Sequence, residues 1–254
     1  MKKFFVILGL AFVCITAFAH SVEWYVDDSL YQTTTCDSGD SITPPIAPEK
    51  YGYHFVEWTA GYTQLEYIES TGTQWIDTGF IANGGMILDA KVLPVNNEMM
   101  LGSIAPTAID PNTTRNLISY TSNGVYNLQK LNVYTSTYAD AGTSPAVIHF
   151  DTTGTNFYCT VNGNVVVDMI TSGTLTNQTT TVKISFSDYN STTRSGRYYY
   201  VKITAADGNV VRDFVPARRA SDNTIGMYDT VTNTFFTNAG TGEFIAGPEV
   251  GNLQ

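Results

Sequence analysis

The chain has few of the residues on which catalysis and metal binding depend. Its 254 residues include three cysteines and three histidines, and charged residues make up 14%. No Gly-x-Ser-x-Gly string, no Cys/His cluster and no Asp-x-Asp-x-Asp-Gly loop occurs. The sequence therefore lacks the motifs by which serine hydrolases, zinc sites and EF-hand calcium sites are recognised.

Carboxylate pairs of the glycosidase type are also missing. Retaining glycoside hydrolases hold two carboxyl groups about 5–5.5 Å apart, a spacing that a Glu-x-Asp-x-Glu string on one strand face provides. No acidic residue here has an acidic partner two positions away. A pair from separate strands stays open, with Asp77, Asp89 and Asp229 as candidates, although such acids more often face solvent or cap turns. His149, between two apolar residues, is expected to be a partly buried strand residue rather than a general base, and we predict that the chain is not an enzyme.

Long apolar runs are absent after the first 19 residues, which have the composition of a signal peptide. Lys2 and Lys3 precede the apolar stretch 4–18, and Ala17-Phe18-Ala19 fits the small-x-small cleavage rule between Ala19 and His20. The stretch is too short to span a bilayer. We predict an exported chain that does not insert into the membrane after cleavage, located at the cell surface or outside the cell, with the periplasm as the alternative.

Basic residues are scarce. The formal net charge is -10 and the isoelectric point about 4.6. Cleavage would remove two of the 13 basic residues and none of the 23 acidic ones. An acidic exported chain is a poor partner for nucleic acid or anionic membranes, so neither is expected.

Two cysteines, Cys36 and Cys159, would remain after cleavage. In the strand-like segment TNFYCTV, Cys159 shares the parity of Phe157 and Val161, which places it in the core. A buried free thiol is the favoured prediction. A disulfide between Cys36 and Cys159 is the alternative, and it requires two distant segments to meet.

Turn residues and alternating apolar segments are abundant, whereas no long period-3.6 pattern occurs. About fourteen short segments of strand character, with turns every eight to twelve residues, are typical of an all-β, antiparallel two-sheet sandwich. The segments expected to form strands include MILDAKVLP, VYNLQK, AVIHFD, NFYCTV, NVVVDMI and TVKISFSD. Asn162-Gly163 and Asp207-Gly208 supply the positive φ angles of tight hairpin turns.

Residues 20–60 form a unit of their own. VEWYV and SLYQTTT are expected to form a hairpin around Asp27-Asp28, and YGYHFVEW a third strand. The pattern within 22–60 is specific. It contains Gly39-Asp40, Ile42, Pro44-Pro45, Pro48, Lys50, Gly52-Tyr53, Phe55 and Trp58. This string resembles a single, partial Listeria–Bacteroides repeat (InlB B-type repeat) of bacterial surface proteins. The resemblance implies a small β-grasp-like module that serves as a spacer and carries no chemistry.

Residues 61–250 form the second unit, followed by the tail 251–254. The strings YIESTGTQWIDTG and VRDFVPARR, followed by IGMYD and FFTNAGTGEF, resemble the laminin-G-like, concanavalin A-like lectin/glucanase superfamily over 62–250. The resemblance implies a jelly roll that binds a glycan or a protein. It also implies that one Ca²⁺ ion can bind at the rim of the sandwich, without identifying ligands; no other cofactor is expected.

Aromatic residues give the best ligand-binding candidates, which are Tyr198, Tyr200 and Trp75. In RYYYVKI, strict alternation puts Tyr199 in the core and Tyr198 and Tyr200 on the opposite face. Exposed tyrosines offer sugars an apolar face with a polar edge. The alternative is that all three side chains pack against neighbouring strands or loops.

These patterns favour a non-catalytic exported recognition or adhesion protein whose jelly roll binds a glycan or a surface protein. A structural envelope protein without a specific ligand is the second hypothesis. A glycoside hydrolase with an unrecognised carboxylate pair is the third.

Overall fold

The chain folds into β-strands. A computed structural model describes residues 2–9, 19–26, 29–37, 43–51, 53–59, 61–96, 98–104, 115–121, 125–131, 133–138, 143–176, 178–187 and 191–253. The named elements within these ranges are strands, which confirms the all-β prediction. No helix in the described ranges has the length and apolar character needed to cross a membrane.

The strands follow one another closely along the chain. Their bounds are β1 (Lys2–Gly9), β2 (Ala19–Val26), β3 (Ser29–Asp37), β4 (Tyr53–Thr59), β5 (Tyr62–Leu65), β6 (Ile68–Thr71), β7 (Ile76–Asp77), β8 (Met86–Pro94), β9 (Met99–Ile104), β10 (Arg115–Thr121), β11 (Val125–Lys130), β12 (Val133–Tyr138), β13 (Ala146–Asp151), β14 (Asn156–Val161), β15 (Asn164–Ile170), β16 (Lys183–Ile184), β17 (Phe186–Ser187), β18 (Thr192–Thr193), β19 (Ser195–Ala205), β20 (Val210–Arg219), β21 (Ile225–Asp229), β22 (Thr234–Thr237), β23 (Ile245–Ala246) and β24 (Glu249–Asn252).

Two compact units share these strands. The smaller comprises Met1–Gln64, Arg218–Thr224 and Val250–Gln254, and the larger comprises Leu65–Ala217 and Ile225–Glu249.

The smaller unit contains a four-stranded sheet with the order β3-β2-β1-β4. Strands β2 and β3 form the hairpin expected around Asp27-Asp28, and β4 coincides with the third strand expected there. The Trp24 indole N–H donates to Thr34 Oγ1 at 2.9 Å across the hairpin. Strand β1 is antiparallel to β2 and parallel to β4, so residues 2–9 lie between them.

The larger unit contains two sheets that share one apolar core, an arrangement consistent with a β-sandwich. One sheet has the order β12-β11-β10-β9-β16-β7, and the other has β15-β14-β13-β8-β19-β20-β21-β22 along its main path. Residues from both sheets belong to the same buried cluster, including Leu101, Ile118, Leu88, Ile148 and Phe214. The burial of such a cluster is the main favourable contribution to folding.

Two predictions for β14 are confirmed, namely the tight turn that follows the strand and the burial of Cys159 within it. Asn162 and Gly163 both have positive φ angles, 52° and 77°, as a type I′ hairpin turn requires. Cys159 is a buried free cysteine between the buried Phe157 and Val161, which confirms the free-thiol prediction over a disulfide. Burial raises the pKa of this thiol to about 12.

The predicted orientation of Tyr198 and Tyr199 is wrong. Tyr198 is fully buried, whereas Tyr199 is half-buried on the other face. The cause is a register shift between Tyr198 and Tyr200 in the pairing of β19 with β8. Such a bulge inserts one residue into a strand and reverses the parity on one side of it. Tyr200 keeps its predicted outward position because Val201 and Ile203, beyond the bulge, face the core as expected.

Candidate functional site

The outer face of the larger sheet, which points away from the core, carries the best candidate site. In β8 buried and partly exposed residues alternate strictly over nine positions, and the partly exposed set includes Asp89 and Lys91. Strands β13 and β14 alternate in the same way and present His149 and Tyr158. A half-exposed sheet face with period-2 patterning places side chains from several strands side by side.

Four of these side chains form what we call the outer-face row: Tyr158, His149, Asp89 and Tyr200. They lie on the adjacent strands β14, β13, β8 and β19. The His149 Nδ1–H donates to Asp89 Oδ1 at 2.7 Å, and the Tyr158 ring meets the imidazole edge-on at a centroid distance of 5.9 Å. The side chains of His149 and Asp89 are 39% and 37% exposed, so both are accessible.

Tyr200 completes the row beside Asp89. Burial raises the pKa of the Tyr200 hydroxyl, and the charge of Asp89 raises it further. In the part of the chain that the structure describes, no aromatic ring or cation is stacked on Tyr200. The side chain is partly exposed, so the part of the ring that faces solvent can contact a ligand.

A neighbouring pair of tyrosines is already covered. Tyr67 and Tyr199 meet at a centroid distance of 5.3 Å. The Arg197 guanidinium lies 4.7 Å above the Tyr67 ring, and Lys91 Nζ lies 4.8 Å from the Tyr199 ring centre. Arg197 also forms an ion pair with Glu69. Cations occupy these ring faces, so this cluster is less suited to stacking a ligand than Tyr200 is.

Trp75 is packed rather than free. Its ring stacks on Phe186 with a centroid distance of 4.5 Å and an interplanar angle of 23°. A side chain at Gly240 would lie 2.7 Å from Trp75 Cδ1, so the backbone of that loop presses on the indole. Lys183 Nζ lies 5.5 Å from the centres of both rings. Little of the indole face is left for a ligand.

The candidate carboxylates have structural partners. Asp77 Oδ1 accepts a hydrogen bond from the Gly79 N–H, which is a turn cap. Asp229 is fully buried and accepts hydrogen bonds from backbone and side-chain donors in its own hairpin. Asp89 is bound to His149, for which the structure records no other hydrogen-bond partner among the described residues.

A metal site is not evident from these residues. Within the described ranges, no group of three or more His, Cys, Asp or Glu side chains is arranged to hold a metal ion. A calcium site built on side-chain carboxylates therefore does not fit this part of the chain, and no calcium-dependent step follows from it.

Comparison with known proteins identifies no relative of this chain. No protein-family model, curated protein or solved structure matches the chain. The candidate site therefore depends on its geometry.

Sequence reasoning identified one of the four residues in the row as a binding residue. Tyr200 was expected to contact ligand, whereas Asp89 and His149 were considered for catalysis and Tyr158 was not singled out. One feature of the sequence indicates that Tyr158 and His149 face outward, because both residues alternate with core residues in their strands. The side chains of His20, Cys36 and His54 lie outside the described residues.

Proposed function

We propose that this chain is an exported, non-catalytic recognition or adhesion protein that binds a glycan through the outer-face row. In this proposal the larger unit is a jelly roll of the laminin-G-like type, and the smaller unit is a spacer of the InlB B-repeat type. The observation that carries the proposal is the partly exposed ring of Tyr200, which has no ring or cation stacked on it among the described residues and lies near a solvent-accessible His–Asp pair.

The chemistry of the row suits sugar binding. A pyranose ring presents apolar C–H groups on one face and hydroxyls at its edge. Tyr200 and Tyr158 provide aromatic surfaces for the apolar face. The second carboxylate oxygen of Asp89 and the Nε2 atom of His149 can bind hydroxyl groups, because each has both an exposed position and no other hydrogen bond among the described residues.

Catalysis is not supported by the same residues. Glycoside hydrolysis needs two carboxyl groups that flank the scissile bond. Within the row, Asp89 is the single carboxylate, and its Oδ1 is bound to His149. Asp229 is fully buried, so it is closed to substrate.

Replacing Tyr200 with alanine should weaken glycan binding about two- to twelvefold, because one stacked ring contributes about 0.5–1.5 kcal/mol. The measurement is a glycan array of the exported protein, followed by titration of any glycan that binds. Tyr51 is fully exposed at 102% and belongs to the smaller unit, so Tyr51→Ala is the matched control. If the two variants bind the glycan equally well, the outer-face row is excluded as the binding site. If no glycan on the array binds, glycan recognition is excluded as the function.

Export should remove residues 1–19, so that the secreted protein starts at His20. Intact-mass measurement of the secreted and the cytosolic forms checks this. Strand β1 lies between β2 and β4, so the cleaved chain loses it. We therefore expect faster amide hydrogen exchange in β2 and β4 of the secreted form than of the uncleaved form. A secreted protein that retains Met1 would contradict the signal-peptide proposal.

A further inference from the structure

Two cations on the outer face have acidic neighbours. Arg197 is bound to Glu69 across β19 and β6. Lys202 lies opposite Asp89 on one side and opposite Asp213 on the other in the strand register. Opposite charges in neighbouring positions of a sheet compensate each other.

The remaining cation beside the row, Lys91, has an aromatic partner. It lies opposite Tyr200 in the register, but its ammonium group sits over the Tyr199 ring. The row itself contributes one carboxylate, Asp89, and one imidazole. The whole protein has a formal charge of -10. The face therefore has no excess of positive charge that would attract an anionic polymer.

The row is also elongated. Its four residues lie on four adjacent strands, β14-β13-β8-β19. Tyr158 and Tyr200 are each displaced by two residues along the strands, in opposite directions, from the His149–Asp89 pair. Because neighbouring strands are about 4.8 Å apart and each residue rises about 3.4 Å, the row runs diagonally over roughly 20 Å. An aromatic ring lies at each end, and the hydrogen-bonding pair lies between them. This length suits a linear segment of several sugar units better than a single monosaccharide.

We infer that the outer-face row binds an uncharged, linear oligosaccharide that crosses the strands from Tyr158 to Tyr200. The inference rests on the proposed function and specifies its ligand class. Each end ring stacks on one sugar unit, and the His149–Asp89 pair binds hydroxyls of the sugars between them. Uronic-acid and sulfated polymers are disfavoured, because their anionic groups would have to lie beside Asp89 without a free cation to bind them.

A matched panel of soluble oligosaccharides tests this inference on the exported protein. The neutral set contains xylan, glucan and mannan fragments from dimer to hexamer, and the anionic set contains oligogalacturonates and heparin fragments of the same lengths. Titration calorimetry is carried out at about 50 mM and at about 500 mM NaCl, because the higher salt concentration screens electrostatic attraction between protein and ligand. We expect fragments of at least one neutral polysaccharide to bind. Their affinity should rise with chain length and reach a plateau before the hexamer. The affinity should change less than about twofold between the two salt concentrations.

Variants at both ends of the row test the elongated geometry. Tyr158→Ala and Tyr200→Ala should each weaken hexamer binding about two- to twelvefold. Each should weaken dimer binding less when the dimer can occupy the other end. Tyr51→Ala is the control, and circular dichroism checks that every variant is folded.

The possible failures are distinguishable. Preference for the anionic set with strong salt dependence would overturn the uncharged-ligand inference and leave glycan recognition intact. The elongated geometry would be overturned, again with glycan recognition intact, if Tyr158→Ala behaves like Tyr51→Ala while Tyr200→Ala weakens binding. If no oligosaccharide of either set binds, the proposed function fails together with the inference.

Discussion

Replacing Tyr198 with alanine should lower the free energy of unfolding by about 3–5 kcal/mol, the usual cost of truncating a buried aromatic side chain. Tyr198 is fully buried, and its hydroxyl contacts both the backbone N–H and the backbone carbonyl of Met100, at 3.4 and 3.3 Å. Burial raises the pKa of this hydroxyl to about 12. Alanine would leave a cavity in the core and remove the hydroxyl's hydrogen bonds with Met100, whose carbonyl keeps the Ser185 N–H as a donor at 2.9 Å. Urea unfolding followed by fluorescence measures the loss.

Two further variants distinguish the stability contribution of the Tyr198 ring from that of its hydroxyl and from that of a tyrosine on the outer face. Tyr198→Phe keeps the ring and should cost about 1 kcal/mol, because it removes a hydrogen bond but little volume. Tyr200→Ala, one position past the register shift, should change stability by less than about 1 kcal/mol. If Tyr198→Ala were tolerated as well as Tyr200→Ala, both tyrosines would lie on the outer face, as strict alternation requires, and the bulge would be contradicted.

The bulge explains why sequence alternation fails at this point. Three consecutive tyrosines fit either face, since each has an apolar ring for the core and a hydroxyl for solvent. The sequence therefore contains no local signal for the extra residue. The core-facing positions of Val201 and Ile203 were predictable, because both residues are aliphatic and lie two positions apart in the strand after the bulge. Placement of Tyr198 depends on β8, its partner strand, which a single sequence does not identify.

Strand bounds were most predictable where alternation is strict and turns are short. Strands β8, β11, β13, β14 and β15 coincide with the segments expected from the sequence. The segment TVKISFSD was expected as one strand but forms β16 and β17, because Ser185 between them has a φ angle of 71°. A non-glycine residue in the left-handed region interrupts a strand, and nothing in its side chain indicates this in advance.

The candidate site was less predictable than the strands. His149 and Asp89 are 60 residues apart, and their contact depends on the pairing of β13 with β8. Sequence parity shows that both face outward, but it does not show which strands are neighbours. The row also depends on the order β14-β13-β8-β19, which includes non-consecutive neighbours. Non-local strand pairing is the step that pattern reasoning does not supply.

Asp229→Ala should be the second strongly destabilising substitution, with an expected loss of about 3–5 kcal/mol. Asp229 is fully buried, and its Oδ1 accepts from the backbone N–H groups of Asp213 and Val231 at 2.8 and 3.2 Å. Its Oδ2 accepts from Thr232 Oγ1 at 2.7 Å and lies 3.7 Å from Arg212 Nε. Alanine would leave these donors without their acceptor inside the protein, where each unpaired polar group is costly.

The asparagine variant shows how much of this loss is due to charge. Asp229→Asn can keep its amide oxygen towards the two backbone N–H groups and turn its NH₂ group to Thr232, whose hydroxyl can accept. Arg212 retains a hydrogen bond from its Nε to the Thr78 carbonyl at 2.8 Å. We therefore expect asparagine to cost less than half as much as alanine in urea unfolding. Asp168→Ala, at an exposed position of β15, is the control and should stay within about 0.5 kcal/mol of the parent. If asparagine and alanine are equally destabilising, the negative charge beside Arg212 is what this hairpin requires, and the hydrogen bonds contribute little.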